Sequence, residues 1–323
     1  MNPLIFTVIA AFAFIHLSAQ QPVWQPSPGH TQVPIWPGAV PDVEPMTGPE
    51  KMQSTGTRSL VAGKPWLAVE RVSQPTMTVY SPKGKNTGVA IVVFPGGGYE
   101  ILAIDLEGTE VCDWLTSKGI TCVLLKYRVP FSGPHWEKEC NCQIIPKSPL
   151  ALEDAQRTIG LVRLHAEEWH INRHKIGVLG FSAGGHLVAA TSVHFDKRLY
   201  PKVDAADRQS CRPDFAVALY PGHLSVNEGS LELNPNIATH ITAQTPPTFL
   251  LQNENDKVDS VWDSLTYYVG LKKAGVPVEF HSYAEGGHAF GLRRTKYPAT
   301  AWPQLVETWL RTIGMISEQP PHL

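Results

Sequence analysis

Residues 175–194, Lys-Ile-Gly-Val-Leu-Gly-Phe-Ser-Ala-Gly-Gly-His-Leu-Val-Ala-Ala-Thr-Ser-Val-His, constrain the fold more than any other stretch of the chain. Ile176 to Phe181 is an apolar run of strand length and Ala183 to Val193 reads as a helix, which leaves Ser182 on the turn between them. Gly180-Phe181-Ser182-Ala183-Gly184 therefore has the strand, turn and helix context of a nucleophile elbow. Such a serine needs a strained backbone, with strand and helix pressed close on both sides, and glycine at 180 and 184 removes the side chains that would clash. The turn lifts the hydroxyl clear of the sheet and sets the Ala183 N–H at a helix start, where a developing oxyanion can be bound. The competing reading is a tight turn with an N-capping serine, and the rest of the chain decides between them.

Upstream, Pro95-Gly96-Gly97-Gly98-Tyr99 closes the apolar run Val89 to Phe94. Successive glycines after a strand let backbone N–H groups approach a ligand, so Gly97 and Gly98 are candidate oxyanion donors beside Ala183; a flexible turn is the alternative. A phosphate loop is excluded, because neither GxGxxG nor a following Gly-Lys-Ser/Thr is present.

The remaining elements alternate. Thr76 to Tyr80 reads as a strand, 107–118 as a helix ending at Gly119, 120–126 as a buried strand and 150–169 as a long amphipathic helix. After the elbow come strands at 214–220, 247–252 and 276–283, with helices at 258–274 and 300–313 and a poorly periodic connection at 221–245. Alternating strands and helices predict an α/β fold with a mostly parallel central sheet and helices on both faces. Residues 129–148, with prolines, Trp136 and two cysteines, read as a long loop or small lid over the site. With no internal repeat and no linker after residue 50, one domain is the simplest account of 323 residues.

The first 70 residues differ in kind. Leu4 to Leu17 is apolar apart from His16 and is followed by Ser18-Ala19-Gln20-Gln21-Pro22, which resembles a secretory signal cleaved near Ala19. No Lys or Arg precedes it, which keeps an uncleaved anchor as the alternative. The expected organisation is a signal peptide over 1–19, an extended Pro- and Gln-rich leader over 20–70 pinned by Trp24 and Trp36, and a catalytic domain over 71–323, giving a secreted or periplasmic protein. Five cysteines fit export, and their odd number leaves at least one unpaired. Cys140-Asn141-Cys142 has no second CxC or CxxC, so a disulfide or free thiols are favoured over zinc. A formal charge of −2 gives no reason to expect nucleic acid or an anionic membrane as partner.

A serine hydroxyl needs a base, and the base needs a carboxylate to fix its tautomer. Asp256 follows the 247–252 strand, with Glu254 as rival acid and helix N-capping as the competing role. His288 lies in the glycine-flanked loop Glu285-Gly286-Gly287-His288-Ala289-Phe290-Gly291 after the last strand, completing the order Ser, Asp, His. His165, His170, His174 and His186 lack HExxH spacing and take structural readings.

Taken together, the Gly180–His186 elbow, the Pro95–Tyr99 loop, Lys126-Tyr127-Arg128, Asp256-Lys257-Val258 and the Gly-Gly-His loop resemble the secreted acetylxylan-esterase-like, carbohydrate esterase branch of the α/β-hydrolases, over residues 70–313. The resemblance implies an α/β-hydrolase fold and a triad of Ser182, Asp256 and His288. It also implies hydrolysis of short acyl esters, acetyl groups on plant polysaccharide such as xylan above all, with no metal or organic cofactor. A general carboxylesterase, a feruloyl esterase, a peptide-cleaving relative and a catalytically silent binding protein are the rivals; the absence of a propeller-like repeat counts against the peptidase. The segment Ala103 to Gly108 recurs in the family, and its Asp105 and Glu107 are either site-lining or helix-capping.

Overall fold

The computed structural model describes residues 23–317 apart from positions 44, 138, 141, 147 and 148, so the expected signal at 1–19 lies outside the described residues. Eight strands form the central sheet: β1 (Gln32–Pro34), β2 (Thr76–Tyr80), β3 (Ala90–Phe94), β4 (Thr121–Lys126), β5 (Ile176–Phe181), β6 (Ala216–Leu219), β7 (Thr248–Asn253) and β8 (Val278–Tyr283). Their order is β1-β2-β4-β3-β5-β6-β7-β8, antiparallel at β1/β2 and β2/β4 and parallel from there on. This is the α/β-hydrolase architecture.

Strands β3 to β7 are buried at every residue, as strands covered on both faces must be, whereas the edge strand β8 is half-buried. Helices α2 (Leu150–Leu164) and α3 (Ala183–Val193) pack together on one face. On the other, α1 (Glu110–Ser117) meets α5 (Trp302–Thr312) through Trp114 and Trp302, whose rings stand 5.1 Å apart, and Trp302 also packs edge-on against Phe181 at 5.7 Å. Helix α4 (Val261–Lys273) connects β7 to β8. Among the described residues no helix is long and apolar enough to cross a membrane.

Several boundaries move from those expected. The helix expected over 107–118 divides into a π-helical turn at Asp105–Thr109 and α1, and the one expected over 150–169 stops at Leu164. The helix expected from 258 begins at Val261, because Ser260 caps it and Val258 and Asp259 belong to the turn before it. The residues read as a leader are not merely extended: they supply β1 and two strands, Lys51–Ser54 and Leu67–Glu70, of a small antiparallel sheet completed by Ile101–Ala103. Trp24 and Trp36 are buried, and Trp36 Nε1 donates to Asp154 on α2 at 2.9 Å. The 129–148 stretch holds a hairpin, His135–Glu137 against Cys142–Ile144. Disulfides join Cys112 to Cys122, tying α1 to β4, and Cys140 to Cys142 in the hairpin, leaving Cys211 as a buried thiol.

The Lys126-Tyr127-Arg128 motif locks the sheet to these surroundings. Arg128 donates to both Asp154 oxygens and to Glu153 inside the protein, Lys126 pairs with Glu50 at 2.7 Å, and Tyr127 Oη donates to the Pro95 carbonyl at 2.6 Å. Removing one partner of such a buried charge pair costs about 3–5 kcal/mol, since the other charge is left uncompensated.

Candidate active site

Steric crowding builds the elbow. Ser182 is held at φ 53°, ψ −122°, and its hydroxyl projects at the carboxyl end of β5. A Cβ at Gly180 would lie 2.2 Å from the Gly184 carbonyl oxygen, and one at Gly184 would lie 2.1 Å from the Phe94 carbonyl oxygen. Both contacts are with backbone that cannot turn aside, so only glycine fits at either position. Ala183 opens α3, where the first N–H groups have no acceptor within the helix.

The glycine loop lies against this turn. A Cβ on Gly96 would fall 3.0 Å from Ser182 Cβ, while the Gly96 N–H is held by Glu107 Oε2 at 2.8 Å. Gly97 and Gly98 take positive φ, 134° and 64°, and among the described residues neither N–H has a hydrogen-bond partner. The loop is fixed from behind by Tyr127, and Glu107 extends the scaffold. Its Oε1 accepts from Tyr220 Oη at 2.9 Å, and Tyr220 Oη accepts the Gly291 N–H at 3.0 Å. One buried carboxyl thus ties the glycine loop, the end of β6 and the histidine loop together, and burial raises its pKa despite those hydrogen bonds. Asp105 does not cap the helical turn, whose N-cap Ile104 makes no side-chain capping bond; its Oδ1 accepts from the Leu67 and Leu106 N–H groups and so ties the turn to the small sheet.

Hydrogen bonds place Asp256 and His288, the candidate acid and base. His288 Nδ1 lies 2.6 Å from Asp256 Oδ2 and His288 Nε2 lies 3.0 Å from Ser182 Oγ, so the three residues chosen from the sequence meet in one line of proton-bearing contacts. The other Asp256 oxygen accepts the N–H groups of Val258 and Asp259. Glu254, the rival, is exposed, and Ser260 rather than Asp256 caps α4. Asn255 Oδ1 accepts from Gly286 and Gly287, Asn253 Nδ2 donates to the Gly287 carbonyl, and the Tyr220 ring packs 4.8 Å from the imidazole. Burial pulls the His288 pKa down, but the Asp256 hydrogen bond and the charges of Asp259, Asp256 and Glu107 outweigh it and leave the pKa raised. A base so poised takes a proton readily from a hydroxyl beside it.

Asp259 carries no motif, and it lies in the turn before α4 and not inside the helix expected from 258. Its Oδ2 lies 3.1 Å from Ser182 Oγ and 3.6 Å from His288 Nε2. Burial and the nearby Asp263 and Asp256 push its pKa up to about 7, against the pull of His288 and the Ser182 hydrogen bond. Gly222 makes room for it, since a Cβ there would stand 2.2 Å from Asp259 Oδ1.

A cavity of about 290 Å³ is walled by Tyr99, Leu152, Leu187 and Pro134. His186, one turn past Ser182, reaches it; Nδ1 contacts Tyr99 Oη at 2.8 Å, Nε2 has no partner among the described residues, and burial holds the imidazole neutral, its pKa far below the ordinary value. His165, by contrast, is half-buried, stacked on Trp169 and paired with Glu168.

Known proteins resemble the chain in sequence and in fold. Residues 150–312 match the model of the prolyl oligopeptidase family, and residues 77–222 match the BD-FAE model. An acetylxylan esterase of Xylanibacter ruminicola is 28% identical over 229 residues, 67% of this chain and 44% of that protein. Endo-1,4-beta-xylanase B of Butyrivibrio fibrisolvens is 25% identical over 222 residues, 64% of this chain and 33% of that protein. The chain therefore spans less than half the length of either relative. Among solved structures, an acetyl ester-xyloside bifunctional hydrolase from Caldicellulosiruptor lactoaceticus superposes with a TM-score of 0.69 at 30% identity, covering 93% of this chain and 100% of that one.

Proposed function

Since the chain belongs to the prolyl oligopeptidase family and, among the α/β-hydrolases, to the acetylxylan-esterase-like branch, we propose that it is a serine esterase acting on short acyl esters, acetyl groups on plant polysaccharide foremost. Ser182 Oγ attacks the ester carbonyl carbon while His288 Nε2 takes its proton, and Asp256 fixes the imidazole with Nδ1 protonated. Negative charge gathers on the carbonyl oxygen and is met by the N–H groups of Gly97, Gly98 and Ala183. His288 returns the proton to the departing alcohol, and water then releases the acid. The observation that carries this reading is the pair of contacts at 3.0 and 2.6 Å linking an elbow-strained serine through His288 to Asp256. Residues 1–19 are read as an export signal, which the N-terminal sequence of the protein recovered from the medium tests.

The cavity beside Tyr99 favours a second reading, an esterase for larger or aromatic acyl groups. Both are tested by measuring acetate release from acetylated xylan alongside hydrolysis of acetyl, butyryl, octanoyl and feruloyl esters, for wild type and Ser182→Ala. Serine-dependent acetate release with a steep fall beyond acetyl is the expected outcome. Silence on xylan with good turnover of long or aromatic esters selects the second reading. Undiminished hydrolysis by Ser182→Ala overturns both, since loss of the nucleophile lowers kcat by about 10⁶ in enzymes of this type.

A further inference from the structure

A serine hydroxyl has one hydrogen, yet Ser182 Oγ faces two acceptors, His288 Nε2 at 3.0 Å and Asp259 Oδ2 at 3.1 Å. Among the described residues the Ser182 hydroxyl is the one donor within hydrogen-bond distance of the Asp259 carboxylate, whose side chain is only 13% exposed. Acylation converts Oγ into an ester oxygen and removes that donor. A carboxylate left inside the protein without a donor costs free energy, so above pH 7, where Asp259 is ionised, a new donor is favoured in its place.

From this we infer that Asp259 binds the hydrolytic water of the second half-reaction. Water, unlike an ester oxygen, has two hydrogens to give. Asp259 Oδ2 and His288 Nε2 are 3.6 Å apart, and two hydrogen bonds of about 2.8 Å from one oxygen span that gap. With one hydrogen on each acceptor, a lone pair of the water is left to face the acyl carbon bound to Ser182. The water oxygen then bonds to that carbon as its first hydrogen passes to Nε2. The tetrahedral intermediate collapses by breaking the bond to Oγ, which takes the proton back from Nε2. The second hydrogen stays on the product acid, held toward Asp259, and passes to solvent water as the acid leaves the site as its carboxylate. Gly222 is part of the device, because any side chain there would occupy the space of Oδ1.

An alcohol acceptor offers a means of isolating this role. Methanol has a single hydroxyl hydrogen, which it must give to His288, so it gains nothing from Asp259. The inference rests on the serine-esterase reading, and the experiment keeps the two apart. Wild type, Asp259→Asn, Asp259→Ala and Ser182→Ala are compared by stopped-flow with p-nitrophenyl acetate, and the acetate to methyl acetate ratio is measured in buffered methanol. Both products come from one acyl-enzyme, so the ratio does not depend on how much of a variant is folded. The Asp259 variants are expected to lower kcat and KM together, with kcat/KM nearly kept and a burst of p-nitrophenolate, and to shift the ratio toward methyl acetate. The expected shift is about 10- to 100-fold, the range of one charged hydrogen bond. An unchanged ratio, or kcat/KM falling in step with kcat, overturns the role of Asp259. A burst that persists in Ser182→Ala overturns instead the serine-esterase reading beneath it.

Discussion

The two halves of the site are made in different ways. On the elbow side, position is fixed by backbone packed on backbone: Gly180 against Gly184, Gly184 against Phe94, Gly96 against Phe181 and Ser182. On the acid side, it is fixed by side chains acting as braces: Asp256 on the N–H groups of its own turn, Asn255 and Asn253 on the histidine loop, Gln252 on the Asp259 carbonyl. Contact between carbonyl oxygens and a missing Cβ leaves no room to adjust, whereas a hydrogen-bonded brace can be weakened by degrees. The half that holds Ser182 is thus all-or-none, and the half that holds His288 and Asp256 can be tuned.

Ser182→Ala aside, the largest effect should come from Asp256→Asn. The amide cannot hold Nδ1–H in the same way, and a histidine in the wrong tautomer lowers kcat by about 10⁴ with the fold retained. Steady-state kinetics with an acetyl ester checks it, and less than a tenfold loss would return Glu254 to consideration. Next comes Gly184→Ala. Its Cβ has no space against the Phe94 carbonyl, and overpacking of about 1–3 kcal/mol or more is expected, read as a lower urea midpoint together with lost activity. Asn255→Ala is the graded counterpart: two exposed N–H groups exchange their acceptor for water, at a cost of about 0.5–1.5 kcal/mol, and activity should fall partway without unfolding. If Gly184→Ala were mild and Asn255→Ala severe, the contrast between the halves would collapse.

Smaller shifts involve pH. With the His288 pKa raised, the acid limb of kcat/KM should lie above the ordinary histidine value, and removing the Asp259 charge should move it to lower pH. Asp259 also bears on stability. Its folded pKa, about 7, lies above the ordinary aspartate value, so between those values the folded state holds more protons than the unfolded one and stability falls as pH rises. Above pH 7 the whole cost is present. Asp259→Asn should therefore melt a few degrees higher than wild type at pH 8, with the gap closing toward pH 5. Equal melting at both pH values would mean that the carboxylate is not held at a cost.

This asymmetry also explains what could be read from the chain. The elbow and the histidine loop were legible because steric crowding leaves glycines as its record, and glycines between an apolar run and a helix have few other uses. The sheet was legible for a similar reason, since strands buried on both faces are continuous apolar runs. Asp259 left no such record. It follows Asp256 in what scans as the first turn of a helix, and its approach to Ser182 depends on Asp256 bending the chain back and on space at Gly222, a residue far away in sequence. Glu107 was visible as a choice between lining and capping, and its actual use as a brace between three loops needed the positions of Gly96, Tyr220 and Gly291. Cysteine pairing likewise required the third dimension.

The central claim, that Ser182 is the nucleophile activated by His288, is tested most directly by reacting the purified protein with an organophosphate ester and locating the adduct by intact mass and peptide mapping. The account predicts one adduct per chain, on Ser182, forming in step with the loss of esterase activity and absent in His288→Ala. Activity that survives full modification of Ser182, or that is lost through an adduct on another residue, would contradict it.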